Sequence, residues 1–453
     1  MVKTDLIIIG SGPGGYRSAC YAAARGLSVT VFESAEAGGT CLNCGCIPTK
    51  SLCRNAEVID TLRDASALGL ESLSYNLDFG KIMERKNSVV AQLRNGVETL
   101  MRTPGITFVN KKATLTSGHT VVTDEEEYTA GDIIIATGSH AKIPPIKGAQ
   151  LQGVVTSTEL LDIPSVPKRL CIVGAGVIGM EFASGFSSFG SEVTVVEFMK
   201  EALPTLDSDI AKRLRQTIGK RGVTFHMQTA VKEIEEKTDS CGARVLNVIT
   251  DKKGKTLEVE ADTVLIATGR SANTDGLGLE EAGIEYDSKG IHTDDNFATN
   301  VPHIYAIGDV NGKCMLAHAA TFQGIHVVNH ILGTPDGIRP DIMPSAIFTN
   351  PEAASVGLSE DRCKELGLEY TCKKGFFRSN GKALAMNETD GMVKLISDSD
   401  GRIIGCHMFG AHASDMVQEI TALMNAGVTT RRLAEIIHIH PTLSEILCDM
   451  CLG

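Results

Sequence analysis

One short device occurs twice in this 453-residue chain and restricts its fold more than any other feature. The apolar run Asp5-Leu6-Ile7-Ile8-Ile9 leads into Gly10-Ser11-Gly12-Pro13-Gly14-Gly15, then into an Ala-rich helix expected from about Tyr16 to Arg25. The same order returns as a strand from Leu170 to Val173, the turn Gly174-Ala175-Gly176-Val177-Ile178-Gly179 and a second helix. In such a turn the first glycine permits the tight bend, the second lets a pyrophosphate approach the backbone, and the third lets helix and strand pack closely. The helix N-terminus then favours the phosphate charge. Each copy reaches a second strand that ends in a carboxylate, Glu33 or Glu197, 23 residues after its first glycine. Each also closes on an apolar strand followed by Ala-Thr-Gly, at Ala136-Thr137-Gly138 and Ala267-Thr268-Gly269. One glycine turn is weak evidence. Two with matched spacing predict an α/β chain with two Rossmann-like dinucleotide-binding domains.

Glu197 also bears on cofactor choice. A carboxylate suits two ribose hydroxyls and repels a 2′-phosphate, which normally calls for Arg. Phe198, Met199 and Lys200 follow it, with no Arg. NAD is therefore expected over NADP.

Three cysteines, Cys41, Cys44 and Cys46, fall within six residues of Gly39-Thr40-Cys41-Leu42-Asn43-Cys44-Gly45-Cys46-Ile47-Pro48-Thr49-Lys50. Residues five apart on a straight helix are separated by about 7.5 Å along the axis, longer than a disulfide normally spans. Gly45 relieves crowding and Pro48 is tolerated only near a helix start, so the stretch reads as a strained loop-to-helix junction holding reactive thiols. Cys41 with Cys46 is the pairing this reading takes, and a Cys41–Cys44 bridge stays open. Zinc binding and inert buried thiols are the plainer alternatives.

Size and charge narrow the class. A chain of this length divides into two to four domains. Its net charge of −12 gives no source for phosphate-neutralising contacts, so nucleic acid is not an expected partner. The apolar run ending at Gly10 is too short for a signal peptide or membrane span, and thirteen cysteines suit a reducing compartment, so a cytoplasmic protein is expected.

Between the copies, residues 51 to 104 read as two helices and Phe108 to Glu127 as short strands. Pro144, Pro145, Pro164 and Pro167 mark a linker. Further on, the strand Ile304 to Ile307 ends in Gly308-Asp309, with Met315-Leu316-Ala317-His318 at a helix start. From about Asp341 strands alternate with helices and no glycine turn appears. There Ile437-His438-Ile439-His440-Pro441-Thr442-Leu443-Ser444-Glu445 places a histidine five residues before a carboxylate, the pattern of a base with its orienter.

Together these motifs, in fixed order along the whole chain, resemble the pyridine nucleotide-disulfide oxidoreductases, and within them the members that reoxidise protein-bound dihydrolipoamide. The resemblance implies an FAD-binding domain with the redox disulfide (1–149), an NAD-binding domain (150–270), a central domain completing the FAD site (271–340) and a C-terminal α+β dimerisation domain (341–453). It implies that Cys46 faces the flavin, Cys41 faces substrate sulfur, and His440 is the base oriented by Glu445. Lys50 would lie near the flavin, paired with Glu181. The remaining cofactor positions it implies are Gly10, Gly12, Gly15, Glu33, Thr40, Ala113, Thr137, Gly138 and Ser139. In the second half they are Gly174, Gly176, Ile178, Gly179, Glu197, Val231 and Gly269, followed by Asp309, Met315, Leu316, Ala317 and His318. No metal is implied. The partners implied are a second copy of the chain, with the His–Glu pair of one serving the disulfide of the other, and a lipoyl-bearing protein of a 2-oxoacid dehydrogenase or glycine cleavage system.

Cys44 departs from the family pattern, and Cys448 and Cys451 lie near the C-terminus without the longer extension of relatives that use terminal thiols. An NADH-dependent disulfide or mercuric reductase is the alternative within the family. A non-catalytic flavin-binding subunit is the alternative outside it, opposed by Cys41, Cys46, His440 and Glu445 all being present.

Overall fold

The computed structural model describes residues 1–240 and 242–452. The chain forms two compact units. The first gathers Met1–Ser51, Met83–Lys142 and Gly269–Pro340; the second gathers Leu52–Ile82, Ile143–Thr268 and the chain from Asp341 on.

The first unit is built on a seven-stranded sheet that is parallel except for the antiparallel strands Thr114–Ser117 and Thr120–Val122. Strand Val2–Ile9 lies between Val29–Phe32 and Glu127–Ile135, with Ile106–Val109 beyond one edge and Ile304–Ala306 paired to Glu127–Ile135. In register, Ile8 faces Val31 on one side and Ile134 on the other. Alternate residues of the isoleucine runs supply opposite faces. Leu6, Ile8 and Ile134 pack with Ala19, Ala22, Val327 and Val328 from helices, while Ile7, Ile9, Ile133 and Ile135 pack with Phe32, Ala113 and Leu115. Burial on both faces explains why these strands read as unbroken apolar runs.

The first helix spans Pro13–Ala23, starting three residues earlier than expected, with Gly12 as its cap. Proline suits that start because its missing N–H would have no helical partner there.

The second unit repeats the arrangement. Its parallel sheet runs Thr224–Met227, Glu192–Glu197, Arg169–Val173, Thr263–Ile266, Val154–Val155, and helix Val177–Ser188 follows the second glycine turn. A three-stranded antiparallel sheet, Ala230–Thr238, Arg244–Lys252 and Lys255–Ala261, is added to it. The C-terminal segment forms a five-stranded antiparallel sheet in the order Ser345–Ile347, Glu352–Gly357, Ile403–Gly410, Met392–Ser397, Thr371–Phe376. Helices Ala413–Asn425 and Glu445–Leu452 contribute to its core through Met416, Val417, Ile420, Ile446 and Leu447.

A buried charged knot ties this segment to the dinucleotide fold. Lys394, 2% exposed, donates to both oxygens of fully buried Asp207 at 2.7 and 2.6 Å and lies 2.6 Å from Glu360. Two carboxylates around one ammonium satisfy a charge that would otherwise be costly to bury. The result is a mixed α/β fold whose second unit includes a C-terminal α+β segment.

Candidate active site

The thiols come together because the helix breaks. Gly39–Cys44 is one short helix and Cys46–Arg63 the next, with Gly45 between them at φ −142°, ψ −110°. A straight helix would turn Cys46 away from Cys41. The break brings the Cys41 thiol into a hydrogen bond with Cys46. A side chain at position 45 would stand 2.9 Å from the Thr40 carbonyl, so the junction admits only glycine without movement. Thr49, in the first turn of the second helix, donates its N–H and hydroxyl to the Gly45 carbonyl, at 3.2 and 2.7 Å. Asn43 fastens the first by donating to the carbonyls of Ala37 and Gly39, both at 3.0 Å, and accepts from Arg94 at 2.9 Å. The expected loop at Cys41 is therefore a helical turn, with the distortion concentrated at Gly45. Cys44 ends that turn, half-buried. The hydrogen bond with Cys46, and then burial, hold the Cys41 thiol far above its usual pKa, while the Lys50 charge pulls it down. Among the described residues no cluster of His, Cys, Asp or Glu is arranged to hold a metal ion.

Both glycine turns form cradles. Gly10 and Gly174 have φ of +106° and +107°, and a Cβ on either would meet a carbonyl, Ala136 at 2.4 Å or Ala267 at 2.5 Å. A Cβ on Gly15 or Gly179 would come within 1.8 or 2.0 Å of the Gly10 or Gly174 carbonyl. The Cβ directions of Gly12 and Gly176 meet nothing within 4 Å, which leaves space at the helix N-termini where a pyrophosphate would lie. Glu33 accepts from the Ser11 N–H at 2.9 Å, the Ser11 hydroxyl at 2.7 Å and the Ala35 N–H at 3.0 Å. Glu197 repeats this, accepting from the N–H groups of Ala175 at 2.6 Å and Met199 at 2.7 Å. Each carboxylate oxygen keeps acceptor capacity for a ribose. The acceptors and spaces fit a dinucleotide at each turn, as binding of both FAD and NAD requires.

The remaining predicted residues divide by unit. In the first, Thr40 sits on the cysteine helix and Lys50 on the next, and Ala113 lies in the sheet core. Thr137 donates to the Asn273 carbonyl and accepts on its own carbonyl from the Asn273 side chain, both at 2.8 Å, across from Gly138 at φ +71°. The Ser139 hydroxyl donates to Asp309, and Arg270 donates to Ser139 at 2.7 Å, so Asp309 is held through Ser139 and Arg270; Arg270 here and Asn273 at Thr137 are residues sequence reasoning missed. Gly269, at φ +116°, immediately precedes Arg270. Met315 and Leu316 lead into helix Ala317–Ile331, which contains His318 in its first turn and has no side-chain cap at its N-terminus.

In the second unit, Ile178 and Glu181 lie on the helix after the glycine turn, and Val231 packs beside the sheet core. Glu181, 4% exposed, accepts from the Phe348 N–H at 2.9 Å. The expected histidine pair is formed: His440 Nδ1 lies 2.9 Å from Glu445 Oε1, and Glu445 Oε2 accepts from the Thr442 N–H at 2.7 Å. The Thr442 N–H, and then His440, hold the Glu445 carboxyl below its usual pKa. A carboxylate on Nδ1 fixes the ring so that Nε2 is the basic nitrogen. Cys448 directs its thiol at the carbonyls of Ala434 and Ile436, and burial raises the thiol pKa at both Cys448 and Cys451.

Known proteins with this sequence pattern supply the context. Residues 4–324 match the pyridine nucleotide-disulphide oxidoreductase family, and residues 343–451 match the dimerisation domain of that family. The chain is 39% identical to a dihydrolipoyl dehydrogenase of Bacillus subtilis and 38% identical to one of Chlamydia muridarum, each match covering 99% of this chain and 96% of the relative. It is 36% identical to leghemoglobin reductase of Glycine max over all of this chain and 87% of that one. The solved structure of the HOCl-induced flavoprotein disulfide reductase RclA from Escherichia coli is similar over 99% of both chains, with a TM-score of 0.87 and 30% identity. Among the described residues no helix is long and apolar enough to cross a membrane. With its paired thiols, two dinucleotide cradles and C-terminal dimerisation segment, this chain belongs to the pyridine nucleotide-disulphide oxidoreductase family.

Proposed function

We propose that this protein is a dihydrolipoyl dehydrogenase that reoxidises protein-bound dihydrolipoamide and reduces NAD. The observation that carries the reading is the Cys41 thiol hydrogen-bonded to Cys46 across the Gly45 break, in a chain whose full-length relatives include several named dihydrolipoyl dehydrogenases. Thiolate is the nucleophile in disulfide exchange, so the incoming dithiol needs a base. His440 takes the proton on Nε2, and the Glu445 carboxylate on Nδ1 stabilises the resulting imidazolium. The substrate thiolate attacks the Cys41 sulfur of the Cys41–Cys46 disulfide, forming a mixed disulfide with Cys41 and breaking the Cys41–Cys46 bond, so that Cys46 is released as thiolate. The second substrate thiol then displaces Cys41, so lipoamide leaves as the disulfide and Cys41 and Cys46 hold two electrons. FAD held at the first glycine turn would supply the two-electron link between this couple and NAD. Lys50, whose charge acts on Cys41, stabilises the Cys41 thiolate.

The four segments 1–149, 150–270, 271–340 and 341–453 then act as FAD, NAD, central and dimerisation domains. His440, with its side chain 80% exposed, serves the thiols of a second copy in a homodimer. The lipoyl group arrives on a partner protein of a 2-oxoacid dehydrogenase or glycine cleavage system. Thirteen cysteines support placing the enzyme in the cytoplasm. Steady-state assays with NAD or NADH and dihydrolipoamide, glutathione disulfide, thioredoxin and Hg(II) test the reading. Dihydrolipoamide is expected to lead by at least about a hundredfold in kcat/KM. A clear preference for any of the others overturns it.

A further inference from the structure

Two histidines stand two residues apart in Ile437-His438-Ile439-His440, and their surroundings give them different tasks. The stretch joins helix Thr430–Ala434 to helix Glu445–Leu452 without regular structure. Its side chains alternate: Ile437 is 97% exposed, Ile439 79% and the His440 ring 80%, whereas the His438 ring is 8% exposed. His438 is thus the one side chain of these four that turns into the body of the unit. Its Nδ1 lies 2.9 Å from the Ile436 carbonyl oxygen and its Nε2 2.8 Å from Glu419 Oε1 on helix Ala413–Asn425. A carbonyl and a carboxylate only accept, so both contacts are hydrogen bonds only when each ring nitrogen bears a proton. His440 differs, with a carboxylate on one nitrogen alone.

We propose that His438, held as an imidazolium between Ile436 and Glu419, is the positioning residue for the catalytic base His440. The inference rests on the dihydrolipoyl dehydrogenase reading for its kinetic consequence. The clamp fixes the only inward anchor of the stretch two residues before the base, so it sets where His440 Nε2 meets the incoming sulfur. A misplacement of about 1 Å at such a group lowers turnover by up to about a hundredfold. The groups facing His438 are consistent with a charged ring. Burial alone would lower its pKa, but the Ile436 carbonyl and the Glu419 and Glu445 carboxylates outweigh it and hold the pKa above the usual histidine value. The neighbouring Cys448 thiol points at the same Ile436 carbonyl and adds no charge there.

The test compares Glu419→Gln and His438→Phe with the unmodified holoenzyme. Glu419→Gln keeps an acceptor of the same size but removes the charge that holds the second proton on the ring. His438→Phe keeps the ring volume and removes both bonds. With dihydrolipoamide and NAD, kcat is expected to fall about tenfold in Glu419→Gln and further in His438→Phe, with KM for dihydrolipoamide within about twofold. NADH oxidation by ferricyanide needs no base at His440 and is expected to stay unchanged in both. Unchanged kcat, or ferricyanide activity falling in parallel with it, overturns the proposal. Hydrogen exchange reads the clamp without turnover: exchange faster in Glu419→Gln only at residues 436–442 supports it, and identical exchange overturns it. An unmodified enzyme inactive with dihydrolipoamide would sink the functional reading instead, while the exchange result still judges the clamp.

Discussion

The two glycine turns share their backbone constraints, but their surroundings differ. In the first, Gly39, at φ +62°, closes over Gly12, where a Cβ would stand 2.7 Å from the Gly12 Cα. The Ser11 hydroxyl adds a bond to Glu33, and helix Ala317–Ile331 packs so closely that a Cβ on Gly324 would meet Ser18 Oγ at 1.8 Å. The second turn has Ala175 in place of Ser11, and its rim exposes Val177, Phe198 and Met199 at 37%, 73% and 52%. Leu203 N–H bonds the Ala175 carbonyl at 3.0 Å where Gly38 N–H bonds that of Ser11 at 3.1 Å. One cradle is enclosed and bears the cysteine helix; the other is open. The enclosed form suits a cofactor that stays, and the open form one that exchanges at every turnover.

The largest expected effect comes from filling the third glycine of each copy. Gly15→Ala drives a Cβ into the Gly10 carbonyl and should yield flavin-poor protein with activity down at least about a hundredfold. Gly179→Ala creates the same clash with Gly174 but should keep its yellow colour and lose only nicotinamide-dependent turnover. Flavin absorbance after gel filtration separates the two, and equal flavin loss would break the comparison.

Changing the acids sharpens it. We expect kcat/KM with NAD to exceed that with NADP by about a hundredfold or more, and Glu197→Ser to narrow the gap to about tenfold, because the carboxylate that repels a 2′-phosphate is gone. Glu33→Ser should alter flavin retention and leave that ratio alone. A ratio that moves with Glu33 would show the cofactors assigned to the wrong halves.

Acid should weaken the second unit through His407. Its Nδ1 accepts the Asp207 N–H at 3.1 Å, which requires a neutral ring, and burial drives its pKa down to about 4. An unfolded histidine binds its proton near pH 6.5. As pH falls from there towards 4, the unfolded chain takes up a proton the folded one does not, so stability is lost, by about 3 kcal/mol in all. His407→Gln, which can still accept from Asp207, should remove most of this loss in urea melts at pH 7 and 4.5. An unchanged pH dependence would remove His407 from the account.

The smallest effect belongs to Cys44. Cys44→Val should leave dihydrolipoamide oxidation within a few-fold, since near-isosteric apolar swaps cost under about 1.5 kcal/mol. A loss comparable to that of Cys46→Ser would bring Cys44 into the working couple.

Much of this was legible in the sequence because period and spacing survive folding. The isoleucine runs, the matched glycines and the distance to Glu33 and Glu197 map directly onto strand register and cradle. The His440–Glu445 pair was legible because five residues of local chain bring it together. The helical turn at Cys41 was not, because the break depends on Gly45 facing the Thr40 carbonyl, a contact visible only in three dimensions. Lys394 sits in the strand Met392–Ser397, where a lysine reads as solvent-facing, yet its partner Asp207 comes from 187 residues away. Arg270, Asn273 and Glu419 were missed for the same reason: each acts on a residue remote in sequence, and none stands in a motif with a spacing of its own.

The central claim is that electrons enter through one sulfur couple, Cys41 with Cys46. Oxidised holoenzyme is treated anaerobically with one equivalent of dihydrolipoamide, alkylated, and mapped by peptide mass spectrometry beside an untreated control. The account predicts that reduction exposes new alkylation at Cys41 and Cys46 alone, with Cys44, Cys448 and Cys451 labelled equally in both samples. New label at Cys44 in place of Cys46, or at the C-terminal cysteines, would contradict it.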